Sequence, residues 1–139
     1  MIPHKKYKEI VELMPILTLD IILKSGDDFV LVKRKREPMK NAFWTPGGRV
    51  KKGELLIEAA KRIIKGEIGA NISKFKFVGV YADIFKTSHF GCPTHTVSAV
   101  FEAVLPNTKI TLDEQSSDWK LSNKLPDRFL NKLLINRHV

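Results

Sequence analysis

Glu67 is the residue whose placement first suggests chemistry. It lies in the stretch Pro46 to Ala70, PGGRVKKGELLIEAAKRIIKGEIGA, which opens on Pro-Gly-Gly, enters a predicted helix near Glu54 and stops at Gly69. Leu55, Leu56, Ile57, Ala59, Ala60, Ile63, Ile64 and Ile68 recur at helical spacing. On a wheel of roughly 100° per residue, Glu54, Glu58, Lys61, Arg62 and Lys65 share one charged arc. Glu67 projects instead into the apolar arc, between Leu56 and Ala60. An unpaired carboxylate facing a core is costly, and the last turn of a helix repels negative charge. A bound cation would cure both problems. The other reading of the spacing is a helix that frays at Gly66 and lets Glu67 reach water.

Asp20 is a second acid set in an apolar segment. Leu17, Leu19, Ile21 and Leu23 alternate like one face of a strand, and Asp20 falls with Thr18 on the other. That position suits either an exposed polar face or a functional carboxylate. Arg34, at a predicted strand end, and Arg49, after the Gly-Gly turn, are candidate phosphate ligands. A planar guanidinium gives bidentate, charge-assisted hydrogen bonds to such oxygens. Tyr7 shares helical spacing with Ile10, Val11 and Met14, which reads as helix packing. Glu54 and Arg62 stand two turns apart, too far for an i,i+4 pair, with Glu58 placed to bridge them.

This set of residues resembles the Nudix box. Gly48, Glu54, Arg62, Ile64, Glu67, Gly69 and Ala70 match in register, while Ile63 and Gly66 stand where the box has two further glutamates. One Nudix branch, the GDP-mannose mannosyl hydrolases, lacks both glutamates. The chain is similar to that branch also at Leu19-Asp20, Lys33-Arg34, Trp44 to Val50, Gly79-Val80, Thr94-His95 and Asp113-Glu114-Gln115. The resemblance implies an α/β (α+β) fold, a Nudix-type α/β/α sandwich with a mixed β-sheet, as one domain over residues 1–139. It implies Mg²⁺, with Mn²⁺ as the alternative, held by Gly47, Glu67 and Gln115. It casts Glu67, Arg34 and Asp20 as catalytic, and Arg34, Arg49 and Tyr7 as substrate-binding. The implied reaction is attack of water on the anomeric carbon of a nucleotide sugar, and the implied assembly is a homodimer.

The important departure is Ser116, where that branch has its general-base histidine. A serine hydroxyl has no accessible pKa near seven and cannot do that work unaided. Glu114, Asp118, His89 and His95 are candidate substitutes, and the base stays unassigned. A second histidine of the branch is also missing, with Asp83 nearby. Two alternatives follow. One is a pyrophosphohydrolase cleaving a P–O bond of a nucleoside diphosphate derivative, disfavoured by Ile63 and Gly66. The other is a low-activity nucleotide-sugar binding or regulatory domain, motivated by Ser116.

The elements that must position these groups can be read in order. A short helix should end at Pro15, followed by strands Leu17–Leu23 and Phe29–Arg34 around a turn at Gly26-Asp27-Asp28. A polar loop, Lys35 to Ala42, leads to Phe43-Trp44 and the box. Beyond the box helix come a strand from Phe75 to Asp83, a loop from Lys86 to Pro93 and a strand from His95 to Leu105. Asn107 to Asp118 reads as a polar loop holding a strand-like Lys109–Leu112, and Pro126 to Arg137 as a terminal helix. This β-rich order predicts a mixed sheet packed between helices.

Composition narrows the function classes. The 139 residues are 43% hydrophobic and 28% charged, as expected of one globular domain. No run of about 18 apolar residues offers a transmembrane helix, and the charged N-terminus does not read as a signal peptide. One cysteine, Cys92, precludes an internal disulfide, so the expected compartment is the cytoplasm. A net charge of +9 favours anionic partners. No nucleic-acid-binding motif accompanies it, which turns the expectation toward a phosphorylated small molecule.

Overall fold

The computed structural model describes residues 2–106 and 118–137, with side chains described as far as residue 133. Its elements are α1 (His4–Leu13), β1 (Ile16–Ser25), β2 (Asp28–Lys33), β3 (Phe43–Trp44), β4 (Gly47–Arg49), α2 (Leu56–Ile68), β5 (Lys76–Phe85), β6 (Thr94–Val104), β7 (Trp119–Ser122) and α3 (Asp127–Arg137). The expected mixed sheet between helices is present. β1 runs parallel to β6, every other pairing is antiparallel, and the central order is β3-β2-β1-β6-β5.

The sheet opens where the site forms. β1 and β2 leave their hairpin paired at Lys24–Phe29 and Ser25–Asp28 and then diverge. The segment carrying β3 and β4 enters the gap, β3 pairing with β2 and β4 with β1 at Thr18–Arg49, Leu19–Gly48 and Asp20–Gly47. Gly47–Arg49 is therefore a strand, not the turn that Pro-Gly-Gly suggests. Gly47 must be bare, because a Cβ there would lie 2.5 Å from the Leu19 carbonyl oxygen and 2.9 Å from Asp20 Oδ1.

Each face of the sheet has its own core. Leu19, Ile21 and Leu23 of β1 pack with Ala99, Phe101 and Ala103 of β6 under Ala60, Ile63 and Ile64 of α2. On the other face Ile22, Trp44, Tyr81 and Val100 meet Phe129 and Leu133 of α3. Both faces of β1 are thus covered, and Asp20 is buried, not on an exposed polar face. α3 is fastened to β5 by Arg128, whose Nε and Nη2 donate to the buried Asp83 carboxylate at 3.0 and 2.8 Å.

The box helix begins later than its hydrophobic pattern suggests. Gly53 has φ +87°, the Glu54 amide donates to the Lys51 carbonyl, and extended Leu55 precedes the first helical residue. Glu54 is outside the helix and Leu55 is exposed. The helix does not fray at Gly66. It continues through Ile68 and closes on left-handed Gly69, whose amide donates to the Lys65 carbonyl.

Candidate active site

A cleft of about 710 Å³ opens where β1 and β2 diverge, and Asp20, Arg34, Gly47, Arg49, Glu67 and Tyr7 all line it. The structure therefore brings together every candidate catalytic and substrate-binding residue, together with two of the three candidate metal ligands. The third, Gln115, lies outside the described residues, as do Glu114, Ser116 and the strand-like Lys109–Leu112. Of the substitutes for the missing histidine, His89 and Asp118 line the cleft; His95 does not.

Glu67 reaches the cleft from the last turn of α2. Its Oε2 is buried with no hydrogen-bond partner among the described residues. Burial raises its pKa to about 7, and the negative charge of nearby Asp20 adds to the rise. The Gly47 amide, Arg34 and Lys35 offset part of it. An orphaned carboxylate oxygen beside a glycine backbone is suited to a hard cation such as Mg²⁺, which takes oxygen ligands. Among the described residues no cluster of three His, Cys, Asp or Glu side chains could hold a metal. Ile63, at one lost-glutamate position, is buried in the core, and Gly66 at the other has no side chain. Among the described residues, Glu67 is the cleft carboxylate with a buried oxygen that lacks a hydrogen-bond partner.

Asp20 has the opposite wiring. Its Oδ1 accepts from Trp44 Nε1 at 3.2 Å and Thr45 Oγ at 3.0 Å, and its Oδ2 from the Tyr81 hydroxyl at 2.5 Å and Ser98 Oγ at 2.6 Å. Four neutral donors hold a buried carboxylate at the root of β4 with no cationic partner among the described residues. In return, burial and the Asp20 charge raise the Tyr81 pKa, keeping that hydroxyl a donor. The sequence reading missed all four partners. Their signal was the β5 alternation that sends Tyr81 and Asp83 to one face, together with Trp44-Thr45 flanking the box.

The arginines face the same space. Arg34 Nε donates to the Pro38 carbonyl at 2.6 Å, across a loop closed by paired backbone bonds between Arg34 and the 41–42 segment. The Arg49 guanidinium lies 4.0 Å from the centroid of the Tyr7 ring, which stacks with Phe90 at 5.3 Å. His4 and His89 extend this aromatic rim. Burial, Arg36, His4 and Arg49 lower the His89 pKa, favouring its neutral form. Tyr7 is thus both packed and at the cleft.

Glu54 and Arg62 sit beside the cleft and form a direct pair. Arg62 Nε donates to Oε2 at 2.6 Å and its Nη2 to Oε1 at 2.9 Å. No bridge through Glu58 is needed, because Glu54 folds back from the loop ahead of α2. Arg62 Nη2 also donates to the Arg49 carbonyl at 2.9 Å, tying the box strand to the helix.

A family model described as the NUDIX domain matches residues 14–125. The chain belongs to the Nudix hydrolase family. An ADP-ribose pyrophosphatase of Methanocaldococcus jannaschii is 32% identical over 124 residues, covering 88% of this chain and 70% of that protein. A low-salt glycan biosynthesis protein of Haloferax volcanii is 27% identical over 122 residues, covering 86% and 78%. Among solved structures, a MutT NUDIX hydrolase from Burkholderia pseudomallei superposes with a TM-score of 0.65 at 20% identity, covering 87% of this chain and 97% of that one. The NUDIX domain of Shewanella oneidensis NrtR complexed with ADP ribose gives a TM-score of 0.62 at 18% identity, covering 89% and 87%. At those identities the structures establish the Nudix fold alone.

Proposed function

We propose that this Nudix domain hydrolyses a nucleoside diphosphate sugar of the GDP-mannose type, by attack of water on the anomeric carbon. The observation that carries the reading is the Glu67 carboxylate, which has a buried oxygen without a partner among the described residues, while Ile63 and Gly66 replace the other glutamates of the box. Glu67 and the Gly47 backbone would hold Mg²⁺ or Mn²⁺, with Gln115 as the neutral third ligand. When bound, the cation supplies Lewis-acid stabilisation of the departing diphosphate.

The chain's own residues do the remaining work. Arg34 and Arg49 bind the diphosphate, and Tyr7 with Phe90 forms an aromatic wall for the nucleoside. Asp20 anchors the Gly47 strand; each of its oxygens already accepts two hydrogen bonds, so it is not the proton acceptor. Water oxygen bonds to the anomeric carbon, the glycosidic C–O pair leaves on the β-phosphate, and the water proton passes to a base. Of the candidate substitutes for the missing histidine, His89 and Asp118 line the cleft and are placed to take it. A homodimer belongs to the same reading, supported by the exposed apolar Leu17, Val80 and Ile84; light scattering tests it.

A second reading has its own support. The relative named as an ADP-ribose pyrophosphatase favours P–O cleavage of a nucleoside diphosphate derivative. Phosphorus NMR after incubation with GDP-mannose, Mg²⁺ and ¹⁸O-labelled water separates the two. Unlabelled GDP with labelled mannose supports attack at carbon. Label in GMP or mannose 1-phosphate establishes phosphorus attack. Tight binding without products would make this a binding domain.

A further inference from the structure

Two buried side-chain polar atoms lack a partner among the described residues, Glu67 Oε2 and Trp119 Nε1, and both residues line the same cleft. The first is an acceptor suited to a cation. The second is a donor, and nothing so far accounts for it. An indole N–H can only donate. Leaving it buried and unbonded costs about 1–3 kcal/mol, so such atoms call for a specific explanation.

The fold supplies an internal comparison. Val32 of β2 pairs with Trp44 on one edge and with Trp119 on the other. Trp44 donates to Asp20 and is satisfied. Trp119 is 2% exposed, packs in the α2-side core, and has no acceptor among the described residues. Around it the cleft carries Lys33, Arg34, Lys35, Arg36 and Arg49 against Asp20, Glu37, Glu67 and Asp118, and Lys35 is paired at 3.4 Å with Asp118, the neighbour of Trp119. A buried N–H donor with no acceptor, beside these arginines and lysines, suits an anionic oxygen.

We propose that Trp119 is a substrate-positioning residue whose indole N–H donates to a phosphate oxygen of the nucleoside diphosphate bound in the cleft. The inference rests on the nucleotide reading above and adds a neutral, deeply set donor to the arginines at the rim.

The test is an ¹H–¹⁵N spectrum of the full chain, which has two tryptophans and hence two indole signals. Trp119→Phe identifies the Trp119 signal, and triple-resonance assignment serves if that variant does not fold. On addition of GDP with Mg²⁺, the Trp119 indole proton should move downfield and exchange more slowly, while the Trp44 signal stays. Calorimetry should show Trp119→Phe binding GDP about 10- to 100-fold more weakly, the worth of a hydrogen bond to a charged group. GDP binding with a stationary Trp119 signal overturns the inference and leaves the nucleotide reading standing. No GDP binding by the wild type overturns both.

Discussion

Glu54 and Glu67 belong to one box and have opposite fates. Glu54 sits in the loop before α2, where the Arg62 guanidinium, by direct hydrogen bonds, holds its pKa down at about 2. Glu67 sits at the other end of the helix, where burial lifts its pKa to about 7 and leaves one oxygen without a partner among the described residues. The first carboxylate is spent on holding the loop, the Arg49 strand and the helix together. The second is left in an environment that destabilises its charge. Protein chemistry tolerates that placement when a ligand compensates for it.

The comparison is tested most strongly at Glu67. Glu67→Gln should reduce turnover by about 10²- to 10³-fold, since loss of a Lewis acid removes several kcal/mol of transition-state stabilisation. The same substitution should raise the melting temperature of the metal-free protein at pH 8. A variant that loses both activity and stability would show Glu67 to be structural like Glu54.

Next in size is Asp20→Asn. A carboxylate accepts from four donors here, whereas an amide turns an NH₂ toward one of the two donor pairs, Trp44 with Thr45 or Tyr81 with Ser98. We expect a loss of about 1–3 kcal/mol in denaturant unfolding, with β4 displaced and Mg²⁺ affinity reduced. Unchanged stability would mean that the network rearranges freely.

A pH effect follows from the raised Glu67 pKa. Below about 4.5 the carboxyl is protonated in both the folded and unfolded chain and costs nothing. As pH rises from there through about 7, the unfolded chain loses its proton first, so the folded state is progressively penalised. Mg²⁺ should reverse this, giving a melting-temperature gain that grows between pH 5 and pH 8. Calorimetry with and without Mg²⁺ measures it, with Glu67→Gln as the reference in which the gain is absent. A gain independent of pH would separate metal binding from Glu67.

Much of this arrangement was legible in the sequence, and what was not has a common cause. The misfit of Glu67 could be read because helical periodicity is local and a carboxylate in an apolar arc stands out. The mixed sheet and terminal helix followed from the order of segments. Asp20 could not be settled, because alternation reports which residues share a face and not whether a second layer covers it. Its four donors come from β3, β5, β6 and the link to β4, contacts that only the closed sheet creates. The direct Glu54–Arg62 pair was hidden for a similar reason. Helical spacing assumes both residues are in the helix, and Gly53 breaks that assumption by turning Glu54 back. Trp119 gave no signal as a donor, since a tryptophan reads simply as core until its indole nitrogen is found unbonded.

The smallest expected effect is at Glu54, and its sign is opposite to that of Glu67. A folded pKa near 2 against 4.5 unfolded means the pair's contribution is complete above 4.5 and is lost as pH falls through about 2. Both side chains are partly exposed, so solvent screens the pair and Glu54→Gln should lower the melting temperature only slightly at neutral pH. That gap should close as the pH is taken down toward 2, and shrink in high salt. A gap insensitive to both would assign the contribution to packing of the Glu54 loop. Because Arg62 also holds the Arg49 carbonyl, Glu54→Gln should raise KM a few-fold and leave kcat nearly unchanged. A substitution that instead lowered kcat would move Glu54 from the frame of the box to its metal side, and the contrast between the two glutamates would be lost.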